Sequence, residues 1–210
     1  MNKRELTHII IAFIVLLIVI IITPLRNTDY PLALQAPLIA AIVLLANILA
    51  KKAFAFYLET DVEHELLSFS RYGFKAHWHF KKPVPIGVIL PLFFSIITLG
   101  VFKCLTLLTY EARALKIKAA RRHGFYSYTE LTDWHNALIG ASGIIALLFL
   151  GAVAYLLNIE YLAKISIYYS FFNMLPLSKL DGNQIFFGSR TLYAILGVIV
   201  LLFTAFAFLL

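Results

Sequence analysis

Apolar residues fall in long blocks along this chain, separated by short polar intervals. The first block, residues 7–23, reads THIIIAFIVLLIVIIIT and is long enough to cross a bilayer as a helix. A second runs from about residue 33 to 49 and ends at Lys51 and Lys52; the sequence beyond it, AFAFYLETDVEHELLSFS, is predicted to continue as helix. A third block, residues 84–102, is interrupted by Pro85, Gly87, Pro91 and Gly100. Three more, residues 136–157, 163 to about 177 and 192–210, complete the pattern, with no internal repeat and no low-complexity segment.

Composition fixes the solvent. The 210 residues are 61% hydrophobic and 14% charged, too little charge to cover a soluble domain of that length, so most of the chain is expected to be solvated by lipid. Lys3 and Arg4 precede the first block as they would in a signal peptide. The block is too long for one, however, and no small-residue cleavage site follows in TPLRNTDYPL, so it is read as a retained membrane helix. The net charge of +7 is assigned to loops on the cytoplasmic side and not to nucleic-acid binding, which the loops lack the motifs to support. With Cys104 the only cysteine, neither an internal disulfide nor a cysteine-based zinc site can be built.

Charge placement also bears on topology. Lys51, Lys52, Arg71, Lys75, Lys81 and Lys82 precede the third block, and Arg113, Lys116, Lys118, Arg121 and Arg122 follow it. A single crossing by residues 84–102 would put these two basic loops on opposite faces, whereas a re-entrant hairpin keeps both cytoplasmic. The expected fold is therefore an all-α polytopic membrane protein of about five to six membrane segments, one of them the hairpin. Its amino terminus and basic loops would be cytoplasmic, in the cell membrane. A kinked ordinary span remains open for this block. The division expected is residues 1–58 as amino-terminal helices, 59–190 as a membrane core and 191–210 as a final helix.

Two stretches carry candidate chemistry. His64 and Glu65 open HELLS, which begins like H-E-x-x-H but has Ser68 where a second histidine would stand. In H-E-x-x-H, ligands at i and i+4 share a helix face and the glutamate at i+1 reaches the metal-bound water. The other stretch, NMLPLSKLDG, sets Asn173, Pro176, Asp181 and Gly182 at the end of an apolar segment. There a carboxylate is costly and must face a cavity, a partner or water, and Pro176 breaks the helix. An interfacial turn capping a span is the alternative reading. Lys179 can either pair with Asp181 or extend to the interface.

NMLPLSKLDG resembles the N-x-x-P-x-x-x-L-D-G motif of the site-2 protease family of intramembrane zinc metalloproteases (peptidase M50). HELLSFSRYGFKAHWHF, KPVPIGVILP and ALIGASGIIALLFL are similar, in order, to its zinc helix, its re-entrant element and its small-residue helix. The resemblance covers roughly residues 62–188 and is strongest over 173–182. It implies a site-2 protease-like core with Asp181 as third zinc ligand, His64 as another, Glu65 as general base, and Asn173 and Pro176 contacting a substrate backbone. Ser68 departs from the pattern, because a hydroxyl is a poor zinc donor and two ligands do not hold a catalytic metal.

The expectation carried forward is a non-proteolytic member without zinc, embedded in the bilayer and binding a transmembrane segment of another protein. Two alternatives stay open. One is an active metalloprotease in which His77 or His79 replaces the missing ligand, since H-x-H on a strand points both rings to one face. The bland reading of that pair, flanked by Trp78 and Phe80, is a membrane-interface belt. The second alternative is a small-solute transporter. His8, His135 and Cys104 are read as structural.

Overall fold

The computed structural model describes residues 3–71, 79–114 and 131–209. Among them are seven helices and four short strands: α1 (Lys3–Arg26), α2 (Tyr30–Tyr57), β1 (Thr60–Leu66), β2 (Phe69–Arg71), β3 (His79–Val84), α3 (Ile86–Ile97), β4 (Leu108–Ala114), α4 (Asp133–Leu156), α5 (Glu160–Met174), α6 (Asp181–Gly188) and α7 (Arg190–Leu209). Four of the helices, α1, α2, α4 and α7, are long and apolar enough to cross a membrane, and the chain is a mostly helical membrane protein. Their outward faces carry exposed side chains such as Leu34, Phe149, Leu202 and Phe208, the arrangement expected where the solvent is hydrocarbon.

Two expectations need correction. The helix predicted to run past Lys52 through HELLS stops at Tyr57, and the segment after it is strand β1. Thr60, Val62 and His64 are buried while Asp61 is exposed and Glu63 half-buried, a period of two that a helix cannot produce. The basic connector after the third block likewise opens as strand β4, which pairs with β1 in a two-stranded sheet. The all-α expectation thus holds for the helices and misses two small sheets. Block 84–102 contains the 12-residue α3, about 18 Å long at the helical rise and too short to cross hydrocarbon. At 15 residues α5 is also shorter than a full crossing, and ten of those residues are buried within protein.

The chain divides into two compact units, residues 1–41 with 64–109, and residues 42–63 with 110–210. In the first, the turn after α3 docks on the end of α1: Thr23 Oγ1 donates to Gly100 O at 2.9 Å and Arg26 Nη1 to Leu99 O at 3.3 Å. Gly100 has φ +79°, and a Cβ there would lie 2.7 Å from Thr23 Oγ1, so both backbone and space require glycine. Strand β2 pairs antiparallel with β3, Phe69 opposite Val84 and Arg71 opposite His79, with an irregularity between. The backbone N–H of Gly87 donates to Leu67 O at 2.8 Å, and that of Leu67 to Leu107 O at 3.0 Å, which fixes the start of α3.

The second unit is organised by α4, which packs along α5 and α6. Ala141, Ile144 and Leu148 of α4 meet Met174, Ile185, Leu196 and Val200 in its main core. The return from α5 to α6 is tight enough that a Cβ on Gly182 would overlap the Met174 carbonyl, and backbone has no rotamer by which to yield. Gly182→Ala is therefore expected to cost about 1–3 kcal/mol and to lower the thermal midpoint of purified protein. Gly197→Ala, whose Cβ would meet only Met174 Cε at 3.7 Å, should be neutral or slightly stabilising through helix propensity. Equal midpoints for the two variants would contradict this account of the return.

Candidate functional site

The residues with most chemical potential in the second unit lie where α2 and α6 meet α4. Because α2 continues to Tyr57, Asn47 and Lys51 are interior helical positions, four residues apart and on one face. Both are buried, Lys51 completely. Helix α5 ends at Met174, two residues before Pro176, whose missing N–H cannot continue the ladder. Turns close from Leu177 N–H to Leu175 O (2.8 Å) and from Leu180 N–H to Leu177 O (3.0 Å), and α6 then starts at Asp181 with its carboxylate fully buried.

Lys51 Nζ stands 2.7 Å from Asp181 Oδ2, with both side chains at 0% exposure. The approach is close but off the axes of a hydrogen bond, so it is a charge pair first. The ammonium also lies 4.9 Å from the ring centroid of Tyr110, which adds cation–π attraction. Tyr110 Oη donates to Asn136 O at 2.6 Å, and Gln184 Nε2 donates to Tyr110 O at 3.0 Å, so β4, α4 and α6 hold the ring in place. Tyr169 and Tyr110 both stand within electrostatic range of Asp181. One turn beyond Tyr169 is Asn173, completely buried; the phenol approaches its amide without reaching hydrogen-bond geometry.

The side-chain amides of Asn47 and Asn173 have no hydrogen-bond partner, and neither does Asn136 Oδ1. A buried polar group left unmade costs about 1–3 kcal/mol, so such a cluster marks a place for water or for a ligand's polar groups. Beside Tyr110 lies a polar cavity of about 350 Å³, lined among others by Glu111, Arg113, Asn136, Lys179 and Gln184. Lys179 Nζ donates to Glu111 Oε1 at 2.8 Å, and that hydrogen bond, with the charges of Lys179 and Arg113, holds the Glu111 carboxyl below its usual range.

The sequence candidates fall in both units. Asp181 and Asn173 belong to the second unit, and Pro176 is an exposed residue of the loop joining their helices. His64 belongs to the first unit, buried, with its Nδ1 3.3 Å and its backbone N–H 3.4 Å from Glu5 Oε1. Glu65 is the next residue on a strand and so points to the opposite face; Ser68 lies in the loop after it. The i, i+4 geometry that gives H-E-x-x-H its function is thus absent from HELLS. His77 lies outside the described residues, as does the side chain of His79. Lys179 pairs with Glu111 and not with Asp181.

The cation at Asp181 is Lys51, which in the sequence stands first in a basic stretch. The available signal was the polar pair Asn47 and Lys51 at helical spacing, read across the apparent end of the apolar block. Zinc does not fit the residues around Asp181: an ammonium faces the carboxylate, the neighbours are amides and phenols, and no three His, Cys, Asp or Glu gather among the described residues. Cys104 is buried with Sγ 3.5 Å from Thr106 Oγ1, and His135 Nδ1 contacts Thr132 Oγ1 beside the start of α4. No family model, curated protein or solved structure matches this chain.

Removing one partner of a buried pair leaves an uncompensated charge. Lys51→Ala is expected to cost about 3–5 kcal/mol, with most of the loss recovered in Lys51→Met/Asp181→Leu. Lys179→Ala should change stability by less than about 1 kcal/mol, because its pair with Glu111 is solvent-screened. Denaturation of the three variants in one detergent checks the order, and a Lys51→Ala no weaker than Lys179→Ala would refute it.

Proposed function

We propose that this chain is a non-proteolytic membrane protein of site-2 protease-like design that receives a transmembrane segment of another protein. The observation that carries the reading is the pairing of Asp181 with Lys51 while the Asn173 amide remains buried and unpartnered. In the family that NMLPLSKLDG resembles, this aspartate is a zinc ligand and this asparagine contacts a substrate backbone. Here the carboxylate is neutralised by an ammonium. A water held against a lysine gains none of the acidity that a metal confers, so no nucleophile forms at neutral pH. The amide keeps both its NH₂ donor group and its carbonyl acceptor free, the complement of a peptide group in an unwound stretch of helix.

Support for the rest of the design is architectural. The short α3 and the extended chain after it have the length of a re-entrant element. With α3 returning to the face it left, the basic stretches before and after it share the cytoplasmic side. Irregular backbone at membrane depth is tolerated only where protein buries it or a wet cavity lines it, and such a place admits an unwound guest segment.

Two measurements test the proposal. A photoreactive residue at position 173 is expected to crosslink to another integral membrane protein in native membranes. Cleavage of a reconstituted transmembrane reporter, or zinc at one equivalent that Asp181→Ala abolishes, would replace the proposal with the protease. For topology, single cysteines at positions 75 and 118 in a Cys104→Ser background should label from the same side. Labelling from opposite sides would make α3 part of an ordinary crossing.

A further inference from the structure

Asn47 and Lys51 converge on one glycine. A Cβ on Gly143 of α4 would stand 2.5 Å from Lys51 Cε and 3.0 Å from Asn47 Nδ2, so the bare backbone of α4 makes the space in which both side chains lie. Asp181 reaches the same place from the first residue of α6, 2.7 Å from the ammonium. Two side chains at i and i+4 of one helix, with a carboxylate from another, are the arrangement of a three-ligand metal site with its ligands supplied by two helices. The site is closed to solvent, with all three residues at 1% exposure or less.

We propose that Lys51 is a tethered cation doing for Asp181 what a bound metal ion would do. On this view Asn47, Lys51 and Asp181 form a metal-free counterpart of a three-ligand site, and exchanging Asn47 and Lys51 for histidine opens it to zinc. The lengths agree. A lysine outreaches a histidine by roughly 2 Å, about one zinc–nitrogen bond, so the ion would lie where the ammonium now ends. The sign of the charge agrees as well, since a cation faces the carboxylate in either form, the zinc ion carrying one positive charge more than the ammonium; Asn47, uncharged and unpartnered, holds the place of the remaining ligand. HELLS then has no part in metal chemistry, and the polar pair that matters is Asn47 and Lys51.

This inference rests on the proposed function only for the identity of the ion, and its test involves no partner. Failure to crosslink at position 173 would leave it standing, and its failure would leave the crosslink standing. Asn47→His/Lys51→His, purified without chelator and titrated with Zn²⁺ and Co²⁺, is expected to bind about one equivalent. Its Co²⁺ form should show the strong visible absorption of a tetrahedral site, and both signals should be lost when Asp181→Asn is added. A folded double-histidine protein that binds no more metal than wild type overturns the proposal, as does binding indifferent to Asp181→Asn.

If the double-histidine variant does not fold, Lys51→Ala decides. Propylammonium is expected to raise the thermal midpoint of Lys51→Ala and to leave Lys51→Ala/Asp181→Asn unchanged, because only the former holds an unmatched carboxylate for a free cation to fill. An equal response of the two would show that no cation position exists beside Asp181, and would overturn the proposal.

Discussion

A carboxylate buried in a protein that is itself dissolved in hydrocarbon has to be neutralised, and the second unit is arranged around that requirement. Asp181 is fully buried at the first position of α6, and Lys51 reaches it from α2. For the two to meet, α2 has to run on through Lys51, the return after Met174 has to be tight, and α4 has to give up side chains at Gly140 and Gly143. A Cβ on Gly140 would stand 2.9 Å from the Tyr110 hydroxyl, as one on Gly143 would press on Lys51. The small residues of α4 are therefore room for a polar cluster as much as a packing surface. They admit a phenol, an ammonium and an amide where leucines would otherwise interlock.

The cost of that arrangement is visible in what stays unsatisfied. The side-chain amides of Asn47 and Asn173 have no protein partner, although a few ångströms of apolar side chain would remove the penalty altogether. Replacing the whole set by hydrophobic residues of similar volume would remove that cost, so the cluster is not explained by stability alone. In a membrane an ionisable pair is costlier still than in water.

The apolar spans were legible in the sequence because lipid demands uninterrupted hydrophobic length, a local property that any window detects. Residues 7–23, 136–157 and 192–210 therefore anticipate α1, α4 and α7 closely. The end of α2 was not legible. Lys51 and Lys52 look like the boundary of a span, and only the partner of Lys51, about 130 residues away, makes its burial tolerable. Strand β1 was missed for a related reason: continuation of the preceding helix and the likeness of its H-E pair to a helical motif suggested a helix, while the alternation of Thr60, Val62 and His64 is a weak signal until β4 stands beside it. Asn173 and Asp181 were singled out by their motif, but which cation answered the aspartate depended on a long-range pairing that no spacing encodes.

The separation of Lys51 and Asp181 along the chain also has a consequence for biogenesis. At about 5–20 residues per second, roughly 6–26 s pass between the synthesis of Lys51 and that of Asp181. For that interval α2 holds a charge that the finished molecule hides completely, with no carboxylate yet to meet it. Its ammonium must stay wet by reaching for the headgroups, or be sheltered by a helper in the membrane. Insertion of α2 and its final seating are then two events, and the second waits for the carboxyl-terminal third of the chain.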